Sequence, residues 1–440
     1  MKRVLTFLSV LWATASMTLA GDPGKGITVD GRLNCPYISH NGGRVYLQIC
    51  ITTPTVETVR RRPMNLAVVL DRSGSMADEG KIEYAKRALY TLIDQLQPED
   101  ILSLVIYDDV IEVLRHAQRV RDKRELRQLV DEVYPRGATN LGGGMVEGLR
   151  QVEENLGKEY VNRVILMSDG LANRGITDRS KLQRIARRYR AKSISLTTMG
   201  VGLDYNENLM VGLAESGGGN YYFIESPHSL ASIFRRELNT VSSVVAQNAR
   251  IELTLGRGVR LLDAIGCEQR MDGNEYVIPI GDLYSGERRE LTVELEVPEG
   301  SGTLTVAKGV LKHDGKRGWF ESWPSFSATV RYTRLLAEVD KNRDLETQAK
   351  ADVVISTRRV EQAMKALDEG RHEEAASELK AAEMFISSSP AAASGAGTAA
   401  MQEQRMRLQS YQGILKDSAD SRRAKKSIQF DNYQTQKGRQ

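Results

Sequence analysis

The chain has 440 residues, of which 41% are hydrophobic and 27% charged, and its formal net charge is +4. This much apolar material excludes a mostly disordered chain, and the length is typical of about three domains. The small charge excess does not indicate nucleic acid as the main partner, and we expect no nucleic-acid binding.

Residues 1–20 have the composition of a secretory signal peptide. Lys2 and Arg3 precede an uncharged, largely apolar run, and Ala20 ends a small-residue exit site before Gly21. The alternative is an uncleaved membrane anchor, although an apolar run of about 17 residues barely spans a bilayer. With cleavage, we expect a protein exported to the periplasm or the cell surface, with no transmembrane segment left.

Residues 21–62 predict a few β-strands. Apolar side chains alternate with others from Val45 to Ile51, which is the period of a half-buried strand. So few strands cannot bury a face alone. We therefore expect them to join residues 245–334, where the alternation returns between Gly- and Pro-containing turns. The two parts would form one antiparallel β-sandwich, with the intervening region inserted into it.

Residues 63–244 alternate short apolar strands with amphipathic helices. The first strand is predicted at 66–70 and the first helix at 81–96, and the last helix ends near Val244. This alternation predicts a doubly wound α/β domain with a mainly parallel sheet covered on both faces. Ligands of such domains bind beyond the carboxyl ends of the strands.

The C-terminal part predicts helices followed by a tail. Residues 335–386 predict a helical hairpin, with Gly370 ending its first helix. Residues 387–440 predict a Ser/Ala/Gly-rich linker, a short helix with apolar residues spaced by sevens, and a basic disordered tail from Ser421.

Three cysteines are present. Cys35 and Cys50 flank a predicted hairpin turn, and in an oxidising compartment they are the favoured disulfide pair, with Cys267 left over. The alternative is three buried thiols. No pair has the spacing of zinc ligands.

Three loops of the α/β region carry oxygen side chains. Asp71, Ser73 and Ser75 stand at alternate positions in the turn after the first strand. Thr139 precedes a helix, and Asp169 ends a strand. Each residue alone has an ordinary alternative as a turn former or a helix cap. Together, at one edge of a parallel sheet, the five predict a metal site.

Hydroxyls and carboxylates suit Mg²⁺, Mn²⁺ or Ca²⁺ rather than zinc, and we expect Mg²⁺ first. Ser73, Ser75 and Thr139 would bind directly, and Asp71 and Asp169 largely through water. The ion would then keep most of its charge and an open position. An Asp or Glu of a partner protein would fill that position.

These five residues resemble the metal-ion-dependent adhesion site of the von Willebrand factor A family. The family pattern is Asp-x-Ser-x-Ser, a Thr in a second loop and an Asp in a third. The resemblance covers residues 63–244, including 217–222 before the last strand, and implies a Rossmann-like fold and adhesion-type binding. The flanking β segments are loosely similar to inter-alpha-trypsin inhibitor heavy chains and related bacterial envelope proteins, as far as Thr333.

An enzyme is not expected. The five histidines are scattered, and none stands in a motif with a nucleophile. The glycine-rich residues 141–144 lack the Gly-Lys-Ser/Thr of a phosphate loop. The alternative function is a scaffold or assembly factor of an envelope complex, acting mainly through the C-terminal helices. The identity of the partner and the oligomeric state stay open.

Overall fold

The computed structural model describes residues 26–55, 61–314, 323–395, 398–416 and 421–438. The predicted signal peptide at 1–20 lies outside the described residues. The described chain opens with three strands: β1 (Thr28–Leu33), β2 (Tyr37–Ser39) and β3 (Gly43–Thr52).

A six-stranded sheet with helices on both faces follows. Its strands are β4 (Met64–Asp71), β5 (Ile101–Tyr107), β6 (Ile111–Arg119), β7 (Val161–Ser168), β8 (Ile194–Val201) and β9 (Gly218–Ile224). Its helices are α1 (Lys81–Gln95), α2 (Lys123–Asp131), α3 (Leu141–Glu154), α4 (Arg179–Arg190), α5 (Glu207–Gly217) and α6 (Leu230–Ser242). The strand order is β6-β5-β4-β7-β8-β9, and every pair is parallel except β5 with β6.

The inner strands are apolar because both of their faces are covered. β4, β5, β7 and β8 are buried along their whole length. Helices α1, α2 and α6 pack on one face of the sheet, and α3, α4 and α5 on the other. The predicted doubly wound α/β fold is confirmed. The carboxyl ends of β4 and β7 therefore lie side by side at one edge. The loop that precedes α3 reaches the same edge, where Gly74 bonds to Gly137, so the three predicted site loops come together.

The chain passes from α6 directly into further strands. They are β10 (Val244–Leu255), β11 (Arg260–Ala264), β12 (Arg270–Asp272), β13 (Glu275–Tyr284), β14 (Arg288–Val297), β15 (Thr303–Asp314) and β16 (Ser325–Thr333). With β1–β3 they form two sheets, β1-β3-β14-β11 and β12-β13-β10-β15-β16-β2, which share one apolar core. The predicted sandwich, completed by the N-terminal strands, is confirmed. One pair departs from the antiparallel prediction, since β2 runs parallel to β16.

Six helices complete the described chain. They are α7 (Leu336–Lys341), α8 (Leu345–Asp368), α9 (His372–Ser387), α10 (Pro390–Ser394), α11 (Thr398–Lys416) and α12 (Ser421–Lys437). Helices α8 and α9 form the predicted hairpin. Helix α8 lies on the sheet of β3 and β14, where Arg358 binds Glu294 at 2.7 Å. No helix in the described ranges has the length and apolar character needed to span a bilayer.

The prediction of a linker and a disordered basic tail is wrong. Helix α10 and the start of α11 occupy the Ser/Ala/Gly-rich stretch, and α12 occupies most of the tail. Helix α12 is ordered because its apolar side chains pack into two different cores. Ile428 is buried among the C-terminal helices, whereas Tyr433 is buried in the α/β core against Tyr221, with 5.7 Å between ring centroids. Basic side chains of α12 also form ion pairs with the body of the protein. Lys426, for example, binds Glu207 at 2.7 Å.

Shortening Ile428 tests this docking. Ile428 is fully buried, so Ile428→Ala loses apolar burial and leaves a cavity, and we expect about 2–4 kcal/mol less stability. Urea unfolding of the purified protein measures the difference. Ser427→Ala, at the exposed neighbouring position of the same helix, is the control. Equal effects of the two substitutions would contradict the packing of α12.

The predicted disulfide between Cys35 and Cys50 is contradicted, since all three cysteines are free thiols. In the pairing of β1 with β3, Asp30 lies opposite Cys50, while Leu33 lies opposite Leu47. Cys35 lies beyond Leu33, and three residues of strand already span about 10 Å. A disulfide needs Cα atoms within about 7 Å. Moreover, Cys35 belongs to the sandwich core, whereas Cys50 alternates with the core-facing residues of β3.

Candidate metal centre

The site begins where β4 ends. Asp71 is fully buried, and its two carboxylate oxygens accept different donors. Oδ1 accepts the backbone N–H of Ser73 at 2.9 Å, which fixes the turn that carries both serines. Oδ2 accepts the hydroxyls of Ser168 at 2.7 Å and of Tyr107 at 3.2 Å. The carboxylate is therefore held in one orientation by the ends of two neighbouring strands.

The second loop is tied to the first through the backbone. The N–H of Arg136 donates to the carbonyl of Arg72 at 2.7 Å, and the N–H of Gly74 donates to the carbonyl of Gly137 at 3.1 Å. These two bonds fix the backbone that leads to Thr139, and Thr139 itself is buried. The position of Thr139 relative to the first loop is thus set by main-chain contacts rather than by flexible side chains.

The third loop brings in Asp169, which is fully buried. Ser75 Oγ donates to Asp169 Oδ1 at 2.8 Å, and Ser75 Oγ lies 3.2 Å from Ser73 Oγ. A Cβ placed on Gly170 would lie 3.3 Å from Thr139 Oγ1 and 3.6 Å from Ser75 Oγ. The oxygens of all three loops therefore converge on one small region.

The spacing of these oxygens fits a small divalent cation. Adjacent ligands at about 2.1 Å from an octahedral Mg²⁺ stand about 3.0 Å apart. Ser73 Oγ and Ser75 Oγ lie 3.2 Å apart, so both hydroxyls could bind the same ion. In the described chain no group of three or more His, Cys, Asp or Glu could hold a metal ion. A site here would use hydroxyls with two carboxylates.

The fold and these loops can be compared with known proteins. The family model of the von Willebrand factor type A domain matches residues 65–236. Residues 65–236 are a von Willebrand factor type A domain. The Escherichia coli (strain K12) protein YfbK is 26% identical to this chain over 261 residues, which are 58% of this chain and 45% of that protein.

Two further comparisons differ in how much of the chain they cover. Inter-alpha-trypsin inhibitor heavy chain H3 of Homo sapiens is 29% identical over 165 residues, 36% of this chain and 18% of the heavy chain. The matches thus span less than half of the length of either relative. The structure of a von Willebrand factor type A protein from Catenulispora acidiphila superposes with a TM-score of 0.74 at 14% identity, over 95% of this chain and 98% of that chain. At that identity the likeness concerns the fold alone, including the sandwich and helices around the A domain.

The A domain brings all five sequence-predicted residues to one edge of its sheet: Asp71, Ser73, Ser75, Thr139 and Asp169. Other residues of the same loops differ in their exposure. Arg72 and Met76 are buried, and Asn140 caps α3 by accepting the N–H of Gly143, while Leu171 is 57% exposed.

Sequence reasoning missed Lys81. It is the first residue of α1, and its Nζ donates to Asp169 Oδ2 at 2.8 Å while its side chain is almost fully buried. Burial lowers the pKa of Lys81, but the bond and the charge of Asp169 outweigh it, so the pKa is raised. The ammonium therefore stays charged. A lysine at a helix start carries no sequence signal that it faces a carboxylate 88 residues later.

The pKa of Asp71 makes the A domain sensitive to pH. Burial raises it to about 6, although bonds from Ser73 and Ser168 oppose the rise. Without a cation, the folded state binds a proton between about pH 4 and pH 6 that the unfolded state has released, so stability falls as pH rises through this window. A cation next to the carboxylate would offset this loss.

We therefore expect Mg²⁺ to raise the melting temperature more at about pH 7.5 than at about pH 5, where the proton competes with the cation. Thermal unfolding with Mg²⁺ and with chelator at both pH values measures this. Asp71→Asn, which cannot ionise, should lose most of the difference between the two pH values. Equal Mg²⁺ shifts at both pH values in the unmodified protein would contradict the role of Asp71.

Proposed function

We propose that the A domain binds one divalent cation, Mg²⁺ first among Mg²⁺, Mn²⁺ and Ca²⁺, and through it a carboxylate of a protein partner. Ser73, Ser75 and Thr139 supply hydroxyls, and Asp71 and Asp169 support the ion as buried carboxylates. The proposal is binding rather than catalysis. It is supported above all by the convergence of these oxygens from three loops.

The charge balance favours capture of an external anion. Two carboxylates neutralise a divalent cation, and the buried ammonium of Lys81 adds one further positive charge beside Asp169. The loaded centre would carry one net positive charge at the edge of a low-dielectric domain, where a single carboxylate is strongly favoured. Asp or Glu is the protein group that supplies it.

The surface around the centre suits a protein partner. Large apolar side chains, between 37% and 58% exposed, stand on the second and third site loops and on the neighbouring turn after β5: Val110, Tyr134, Leu171 and Ile176. Exposed apolar groups around a polar centre are typical of protein interfaces. A charge-assisted contact to one ion gives little specificity by itself, and these side chains would add it.

Replacing Lys81 separates the two halves of the proposal. We expect Lys81→Met to bind Mn²⁺ about tenfold more tightly, because a like charge is removed, and acidic peptides about tenfold more weakly. Calorimetry with Mn²⁺, and then with a Glu-containing peptide, measures both. Lys86→Met, whose lysine pairs with Glu83 on the same helix, is the control. Two changes of the same sign would contradict the charge argument.

The proposed function is tested by capture of a partner from an envelope extract. We expect a bound protein that is released by chelator, restored by Mg²⁺ or Mn²⁺, absent with Thr139→Ala and retained with Thr139→Ser. Changing one acidic residue of the captured partner should abolish binding. Capture that is indifferent to chelator and to Thr139→Ala would exclude the metal-dependent function. We choose an envelope extract because the sequence predicts a signal peptide at residues 1–20, from which we propose export to the periplasm or the cell surface.

The scaffold alternative has one observation in its favour. Met384 on α9 and Met406 on α11 are 62% and 63% exposed, and methionines adapt to varied partners. Because α11 and α12 pack into the body, deletion of 401–440 would damage the fold. Met384→Ser and Met406→Ser are therefore the suitable variants. Binding that persists in chelator and fails in these variants would favour the scaffold.

A further inference from the structure

An open cleft of about 520 Å³ separates the A domain from the C-terminal helices. One wall consists of the loops after β7 and β8, through Leu171 and Leu203. The opposite wall consists of the end of α8 and the start of α12, through Leu367 and Arg422. Because α12 is docked through buried residues on both sides, this wall is a fixed part of the described fold.

The cleft adjoins the metal centre. Leu171 follows Asp169 by two residues on the same loop, and its side chain is exposed. Lys81 provides the second connection, since it binds Asp169, and a Cβ on Gly202 would lie 3.3 Å from Lys81 Cε. Leu203, the next residue, lines the cleft. A segment bound at the metal could therefore continue into the cleft.

The acidic and basic groups of the cleft are matched to one another. Lys426 Nζ donates to Glu207 at 2.7 Å and to the carbonyl of Tyr205 at 2.8 Å. Arg422 pairs with Asp204 at 3.1 Å. Lys425 binds both Glu207 and Asp368. Apart from His372, which also lines the cleft, three carboxylates thus face three cations and leave no net charge to attract an ion of either sign.

The apolar side chains that line the cleft would be buried favourably by a bound apolar group. Leu171 is exposed, and Leu203 and Leu367 are half-buried. Covering them removes apolar surface from water, whereas a charged occupant would have to displace existing ion pairs. The metal centre and the cleft therefore favour different side chains, a carboxylate in the first and an apolar group in the second.

We propose that the cleft takes a large apolar side chain of the same partner segment whose carboxylate binds the cation. The partner motif is then an extended segment with one Asp or Glu and a Leu, Ile, Met or Phe at a fixed offset on one side. This inference rests on the proposed metal-dependent function and adds the class of segment that the protein recognises.

The test uses synthetic peptides of about twelve residues, with a central Glu and randomised flanks, selected on the purified protein in Mg²⁺. Peptides that bind should carry a large apolar residue at one offset from Glu. Leu203→Ser and Leu367→Ser, from opposite walls, should each weaken such a peptide about tenfold. They should leave the same peptide with Ser at the apolar position unchanged. Leu156→Ser is the matched control, since Leu156 is 43% exposed beyond the other end of α3.

The outcomes separate the two proposals. Glu-dependent, Mg²⁺-dependent binding without an apolar preference overturns the inference about the cleft and leaves the proposed function standing. An apolar preference that survives both cleft variants also overturns it. Binding that is unchanged by chelator, or by Gln in place of the central Glu, overturns the proposed function and the inference with it.

Discussion

Thr139→Ala is expected to weaken Mg²⁺ or Mn²⁺ binding by about 100-fold or more. Loss of an outer partner of a metal ligand alone typically costs about 10–100-fold, and Thr139 would be a ligand itself. The effect should come from the lost oxygen, because the backbone N–H of Thr139 donates to Asn173 and its carbonyl accepts two N–H groups. These bonds survive the substitution and keep the loop in place.

Calorimetry with Mn²⁺ measures this effect, and Thr139→Ser is the matched control. Serine restores the hydroxyl without the methyl group, so it should bind within a few-fold of the unmodified protein. Ser73→Ala should behave like Thr139→Ala. A Thr139→Ala protein that binds as well as Thr139→Ser would show that the hydroxyl is not a ligand.

Arg163→Met is expected to lower the free energy of unfolding by about 3–5 kcal/mol. Arg163 on β7 is fully buried and joins two buried carboxylates from different parts of the fold. It donates to Glu237 on α6 at 3.2 Å and to Asp282 on β13 at 2.8 Å. Removing the guanidinium leaves both carboxylates inside the protein without their cation. The pair on β13 also links the A domain to the sandwich, which holds the inserted domain in a fixed position.

Arg150→Met is the control for this effect. Arg150 also binds two carboxylates, Glu147 at 2.7 Å and Glu154 at 2.6 Å, but its side chain is half exposed. Exposed pairs contribute about 0–1 kcal/mol, so this substitution should change stability little. Urea unfolding of both variants gives the comparison. Similar losses for the two arginines would contradict the importance of the buried junction.

The parts of the fold that the sequence predicted are those with a strong local pattern. Helix α1 was predicted at 81–96 and spans Lys81–Gln95, because its apolar face repeats without interruption. The five oxygen side chains could be grouped before the structure, since each follows a strand or precedes a helix at the carboxyl edge of a parallel sheet. Local pattern and topology together were sufficient for these features.

The features that the sequence did not predict depend on contacts distant along the chain. On α12, Ile428 is buried in one core, whereas Phe430 and Tyr433 pack into the other, so no single apolar stripe marks the helix. Lys81 belongs to the metal centre only because α1 begins beside the loop of Asp169. The register of β1 with β3, rather than sequence proximity, separates the two cysteines that were expected to bond.

Anomalous diffraction from crystals grown with Mn²⁺ and acetate tests whether the A domain holds a cation with a position open to an external carboxylate. We expect one strong peak within about 2.2 Å of Ser73 Oγ and Ser75 Oγ and close to Thr139, with an acetate oxygen completing the coordination on the solvent side. An acetate at that position would stand for the carboxylate of a partner. No peak at these hydroxyls, or an ion coordinated entirely by protein groups with no external position, would contradict it.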